Sequence, residues 1–128
     1  MKSGRLVYMN GEFVEERDAK ISIFDSALMF GDMVFEMTRS FNKKQFKLRE
    51  HLERLYIGIK LLHIPINMTI DEMELACLKT IEMNEPVFNE YDEHRLMINV
   101  SRGPLGCLLY TSDAADDLLC VDLGGRRI

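Results

Sequence analysis

The feature that most narrows the fold is a change of hydrophobic period at Leu48. Before it, residues 5 to 47 run in short extended stretches broken by turn residues. From it onward, Leu48, Leu52, Leu55, Ile59 and Leu62 recur at the three-and-four spacing of an amphipathic helix. Strands first and helices after predict an α+β fold: an antiparallel sheet with two packed helices rather than alternating βαβ units. Within the first part, "RLVYMNGEFVEE" predicts a hairpin about Asn10-Gly11, because both turn residues tolerate positive φ. "AKISIF" predicts a third strand, and "DSALMFGD" a turn or short helical corner where Asp25 and Ser26 supply capping chemistry. "FGDMVFEMTR" follows as a strand, and "NKKQ" turns the chain back into "FKL". Pro65 stops the first helix. A second begins at "TIDE", where Thr69 and Glu72 have the spacing of a capping box, and its buried line of Ile70, Met73, Cys77 and Ile81 makes Cys77 a core thiol. "RLMINVSRG" predicts one more strand, closed by a Gly-Pro turn.

Composition excludes several functions. With 128 residues, 47% of them hydrophobic, the chain can bury the core of one domain, and no apolar run reaches the roughly 18 to 20 residues that span a bilayer. The first residues lack the apolar middle of a signal peptide, so a cytoplasmic location is expected and no membrane partner. A net charge of -5 without a basic block gives no nucleic-acid groove. Cys77, Cys107 and Cys120 show no metal-ligand spacing, and His51, His63 and His94 are scattered, so no metal site is expected and these histidines read as ordinary partly buried imidazoles.

The stretch "FGDMVFEMTR" is unusual because strand alternation puts Phe35, Met37 and Arg39 on one face and Val34, Glu36 and Thr38 on the other, with charge on both. Arg39 and Arg95 both fall inside strand patterns, where a guanidinium needs a partner: either a structural ion pair, for which Glu36 is available, or a substrate carboxylate. Phe30 and Phe35 read first as core aromatics. Arg54 lies at the edge of the helical stripe, with Gly58 one turn on, a residue costing roughly 1 kcal/mol against alanine in a helix. Two readings of Arg54 stand open: a solvated pair with Glu50 one turn earlier, or a grip on a phosphate or carboxylate held beside the bare backbone at Gly58.

Taken together, "NGEFV", "AKISIFDSALMFGDMVFEMTRSF", "FKLREHLERLYIGIKLLHI" and "MINVSRG" resemble the N-terminal domain of the class IV aminotransferases, the fold-type IV pyridoxal-phosphate enzymes. The resemblance covers about residues 6 to 103, and its two central blocks, "FGDMVFEMTR" and "HLERL", are specific in combination. It implies pyridoxal 5'-phosphate as cofactor and transfer of an amino group between an amino acid, here a branched-chain L-amino acid, and a 2-oxo acid. By the same resemblance, Arg54 grips the cofactor phosphate and Phe35 lines the substrate side-chain pocket. Phe30 stands where many members have tyrosine, Arg39 supports the substrate site, and Arg95 contributes to recognition of the substrate carboxylate. The family further implies a homodimer or higher homo-oligomer. Other reactions on the same scaffold, those of D-amino-acid aminotransferases and aminodeoxychorismate lyase, remain open, as does a non-enzymatic binding or assembly domain.

The lysine that carries the resting Schiff base in this family lies well downstream of these blocks. None of Lys2, Lys20, Lys43, Lys44, Lys47, Lys60 or Lys79 has a matching context, so the chain is expected to be the N-terminal fragment of the enzyme, without a catalytic lysine and inactive alone. Residues 1–106 are read as the small domain. Residues 107–128 are read as a non-native tail, because Cys107 to Asp116 back-translates into a sequence resembling a transposon-end adapter. Without the tail's four aspartates and two arginines the acids fall from 21 to 17 and the bases from 16 to 14, a net charge of -3.

Overall fold

A computed structural model describes residues 4–104. The proposed tail, residues 107–128, lies outside them. The chain opens with strands β1 (Leu6–Met9) and β2 (Glu12–Glu15), paired antiparallel with Met9 opposite Glu12 across the two-residue turn at Asn10 and Gly11. Both turn residues have positive φ, 52° and 90°, which Asn and Gly adopt at little cost. The residues of "AKISIF" do not make the third strand: they run without regular structure, and Ile21 and Ile23 are exposed. No partner strand takes up their alternation among the described residues.

The corner at "DSALMF" is the short helix α1 (Ser26–Phe30). The Asp25 carboxylate caps it by accepting the Ala27 amide at 3.0 Å, and Gly31 ends it in the left-handed region at φ 68°. The chain then enters the long strand β3 (Met33–Phe41), turns at Asn42-Lys43, and returns through the two-residue strand β4 (Lys44–Gln45). The return begins two residues earlier than "FKL", because Asn42 and Lys43 both take positive φ and close a tight hairpin. β3 also pairs antiparallel from Met33 to Arg39 with β5 (Arg95–Ser101), giving a sheet of order β4-β3-β5.

Helices α2 (Leu48–Leu61) and α3 (Ile70–Asn84) cover one face of that sheet. The capping box forms as expected, with the Thr69 hydroxyl accepting the Glu72 amide and the Glu72 carboxylate accepting the Thr69 amide. Leu48, Leu52, Leu55 and Ile59 of α2 meet Met73 and Cys77 of α3 and Ile98 and Val100 of β5 in one core. Burial pushes the Cys77 thiol up to about 12, which makes it an inert core side chain. The hairpin β1–β2 is fastened to α3 by Asn84, whose side-chain amide accepts from the Leu6 N–H at 2.8 Å and donates to the Leu6 carbonyl at 2.9 Å.

Gly58 has a different reason from the one its sequence context offers. A Cβ placed there would lie 2.9 Å from a methyl of Val34, so the glycine lets α2 approach β3 closely and leaves no vacant backbone for a ligand.

Candidate active site

β3 is built inside out. Its helix-facing side carries Glu36, Thr38 and Ser40, all buried, while the opposite side exposes Phe35, Met37, Arg39 and Phe41. The polar residues are tolerated inside because each is bonded: Thr38 donates to Gln45, Ser40 donates to Glu93 at 2.9 Å, and Glu36 is held from α2. An apolar sheet face turned outward is what a strand presents when something else is to be placed against it.

The register with β5 completes that outward face. Phe35 lies opposite Asn99, Met37 opposite Met97 and Arg39 opposite Arg95. Because the Ser40 amide bonds the His94 carbonyl, Arg39 and Arg95 form a non-hydrogen-bonded pair, in which Cα atoms sit about 4.5 Å apart and side chains are closest. Two like charges so placed repel. Arg39 donates from Nε to the Ser40 carbonyl at 3.1 Å and lays its guanidinium 4.2 Å from the Phe41 ring centre, while neither arginine has an ion pair among the described residues. Glu93 feels the charge of Arg39, but its oxygens are already taken by Ser40 and by the Asn42 and Lys43 amides. The pair therefore has donors to spare and faces solvent.

Arg54 sits on the other side of the sheet. Its Nε donates to Glu36 Oε1 at 2.5 Å and its Nη2 to Oε2 at 2.8 Å, a two-pronged pair, and His51 Nδ1 lies 2.8 Å from the same Oε2. The partner is Glu36 rather than Glu50. The pair is lopsided: the Glu36 side chain is 6% exposed and that of Arg54 72%. The Arg54 hydrogen bonds hold the Glu36 carboxyl below its ordinary value, against the opposing effect of burial and with further help from His51.

The structure thus brings Phe35, Arg39 and Arg95 together and keeps Arg54 apart from them, on the helix side. Phe30 lies at the exposed end of α1. Sequence reasoning put Met37 on the face of Phe35 and Arg39 but missed His51, and also Met97, which β5 sets opposite Met37. It also passed over Arg102, which clasps Asp32 at 2.6 Å and caps α2 through the Leu62 and His63 carbonyls. The three-residue spacing of His51 and Arg54 on one helix was the available signal for the first of these. A groove of about 290 Å³ between β1, α3 and β5 includes Arg95 and Met97 in its wall but none of Phe35, Arg39 or Arg54.

The sequence model of the family described as amino-transferase class IV matches residues 33–121, most of the chain. The chain belongs to the class IV aminotransferases. Among its relatives, a putative branched-chain-amino-acid aminotransferase of Methanocaldococcus jannaschii is 43% identical over 101 residues, covering 78% of this chain and 34% of that protein. A D-alanine aminotransferase of Staphylococcus epidermidis is 40% identical over 81 residues, 63% of this chain and 29% of the other. In structure, the branched-chain amino acid aminotransferase from Escherichia coli superposes with a TM-score of 0.69 at 29% identity, over 80% of this chain and 34% of that one. This class IV aminotransferase chain therefore spans about a third of the length of the proteins it matches, and its α+β fold is shared with the Escherichia coli structure over 80% of this chain. No helix among the described residues is long and apolar enough to cross a membrane.

Proposed function

We propose that this chain supplies one wall of the site of a pyridoxal-phosphate-dependent aminotransferase that acts on amino acids with apolar, branched side chains. The observation that carries this reading is the outward face of the sheet, where Arg39 and Arg95, neither in an ion pair among the described residues, stand side by side next to Phe35, Met37 and Met97. Two adjacent guanidinium groups match a carboxylate, and an apolar strip beside them matches an aliphatic side chain.

The cofactor fits the residues present. Glu36 occupies only one edge of the Arg54 guanidinium, and the other donors stay exposed and charged, as a phosphate ligand requires. Bound there, pyridoxal phosphate supplies the electron sink that makes loss of the substrate Cα proton feasible. Arg54 would hold the phosphate from the helix side, and Arg39 and Arg95 would orient the substrate carboxylate on the outward face, the two meeting across the edge of β3 from Met33 to Arg39 that no described strand pairs. Phe35 would bound the side-chain pocket, with Phe30 at its margin. The full-length protein would work as a homodimer or higher homo-oligomer.

A second reading, transfer from D-alanine, has the similarity to the Staphylococcus enzymes in its favour. Profiling a full-length version separates the two. The first predicts turnover of L-leucine, L-isoleucine and L-valine in preference to D-alanine, and a rise in the donor KM of about tenfold or more in Arg95→Gln, the usual worth of a charged hydrogen bond. A clear preference for D-alanine would overturn it.

A further inference from the structure

We propose that Glu36 is the positioning residue of the phosphate site: from its buried place on β3 it holds one edge of the Arg54 guanidinium and so aims the remaining donors outward at the cofactor phosphate. The inference rests on the reading of Arg54 as phosphate ligand.

A guanidinium carries five N–H groups. Glu36 takes the one on Nε and one on Nη2, which leaves both hydrogens of Nη1 and one of Nη2, with one from each nitrogen on the end-on edge. That edge can still receive a phosphate by two parallel bonds. The holder is itself fixed. Glu36 is 5% exposed, sits midway along the central strand opposite Ile98, and gives its second oxygen to His51 as well. His51 and Arg54 are one turn apart on α2, so both converge on a single carboxylate.

An acid in this place is otherwise hard to explain. A negative charge about 7 Å from a singly charged phosphate, its main form below about pH 6, weakens its binding by about threefold in water by simple repulsion. Fixing one long, freely rotating side chain in advance recovers about two- to tenfold. The two effects have opposite signs in the same variant, and that makes the role testable. On charge alone, Glu36→Gln should bind phosphate more tightly. If Glu36 positions Arg54, the variant should bind it more weakly although it has one negative charge fewer.

The 128-residue chain can be titrated at pH 5, where the phosphate is mostly singly charged and Glu36 is ionised, with pyridoxamine 5'-phosphate, which has no aldehyde to react with surface lysines, and with pyridoxamine as the phosphate-free control. The readouts are backbone amide and Arg54 Nε–H NMR signals. In the wild type we expect phosphate-dependent binding and a shift of the Arg54 signal. Arg54→Gln should lose the preference for the phosphorylated probe. Glu36→Gln should keep the amide fingerprint of the fold while the phosphate-dependent affinity falls, by up to about threefold. Unchanged or tighter binding in Glu36→Gln, with Arg54→Gln still defective, overturns the positioning role and leaves Arg54 as the ligand. Full phosphate preference in Arg54→Gln removes both. Should Glu36→Gln fail to fold, the wild type decides: an Arg54 Nε–H signal that does not move with the phosphorylated probe overturns the proposal.

Discussion

At the scale of single residues, the buried carboxylate of Glu36 organises the helix side of the sheet, and its ionisation couples the site to stability. Its folded-state pKa lies below the ordinary 4.5, so it contributes stability above that pH that is lost as the pH falls through the lowered value. Glu36→Gln should therefore be less stable than the wild type at pH 7, by about 1–2 kcal/mol for a buried partner left unsatisfied. The gap should narrow as the pH falls below 4.5 toward the lowered value, because proton uptake on unfolding then removes that stability from the wild type. Urea midpoints of both proteins from pH 7 to pH 3 check this, and a gap that persists undiminished at pH 3 would contradict it. The sequence put Glu36 on the face away from Phe35 and offered it as partner to a strand arginine, Arg39 or Arg95, whereas its partner is Arg54. The sequence could not show which partner, since Arg54 and His51 lie 18 and 15 residues away along the chain and only the packing of α2 on β3 brings them there.

At the scale of elements, the contact between α2 and β3 turns on Gly58. Alanine there gains roughly 1 kcal/mol in helix propensity. Its Cβ would also press within 2.9 Å of a Val34 methyl, and a β-branched side chain has little freedom to yield. Overpacking of this kind costs about 1–3 kcal/mol, so Gly58→Ala should come out destabilising by up to about 2 kcal/mol. In a Val34→Ala background the clash is gone, and the same change should become neutral or stabilising. A double-mutant cycle by chemical denaturation reads the sign directly, and destabilisation of equal size in both backgrounds would argue against the contact. The helices and their caps were legible because periodicity and the Thr69–Glu72 box are local signals. "AKISIF" was misread because alternation records which residues differ in polarity, and not whether a neighbouring strand exists to pair with them. The return strand was placed two residues late because Lys43 at φ 66° is a turn residue that sequence preferences do not favour.

At the scale of the whole molecule, the outward sheet face and the segment before it leave Phe24, Leu28, Phe30, Phe35, Met37 and Met97 exposed together with other large apolar side chains. A surface of this kind drives association. The chain should sediment with a concentration-dependent mass at micromolar concentrations, and Met37→Lys, in the middle of the face, should shift it toward the monomer; a monodisperse monomer across that range would count against the idea. The same face bears on catalysis. Strand register puts Phe35, Arg39 and Arg95 on it, but the only lysine that the described strands add is Lys44, opposite Phe41 at the hairpin end and exposed to solvent. A lysine that exchanges protons with a bound substrate must be desolvated and fixed close to the reacting carbon. Lys43 is spent on the Asn89 carbonyl at 2.8 Å, Lys47 lies 5.5 Å from the Phe46 ring centre, and Lys79 is paired with Glu82 at 3.9 Å. With pyridoxal phosphate, L-leucine and a 2-oxo acid, the 128-residue chain should thus show no transamination above that of the free cofactor, and Lys44→Ala should change nothing. Turnover that exceeds the free cofactor and disappears in Lys44→Ala would mean that this chain carries its own catalytic lysine.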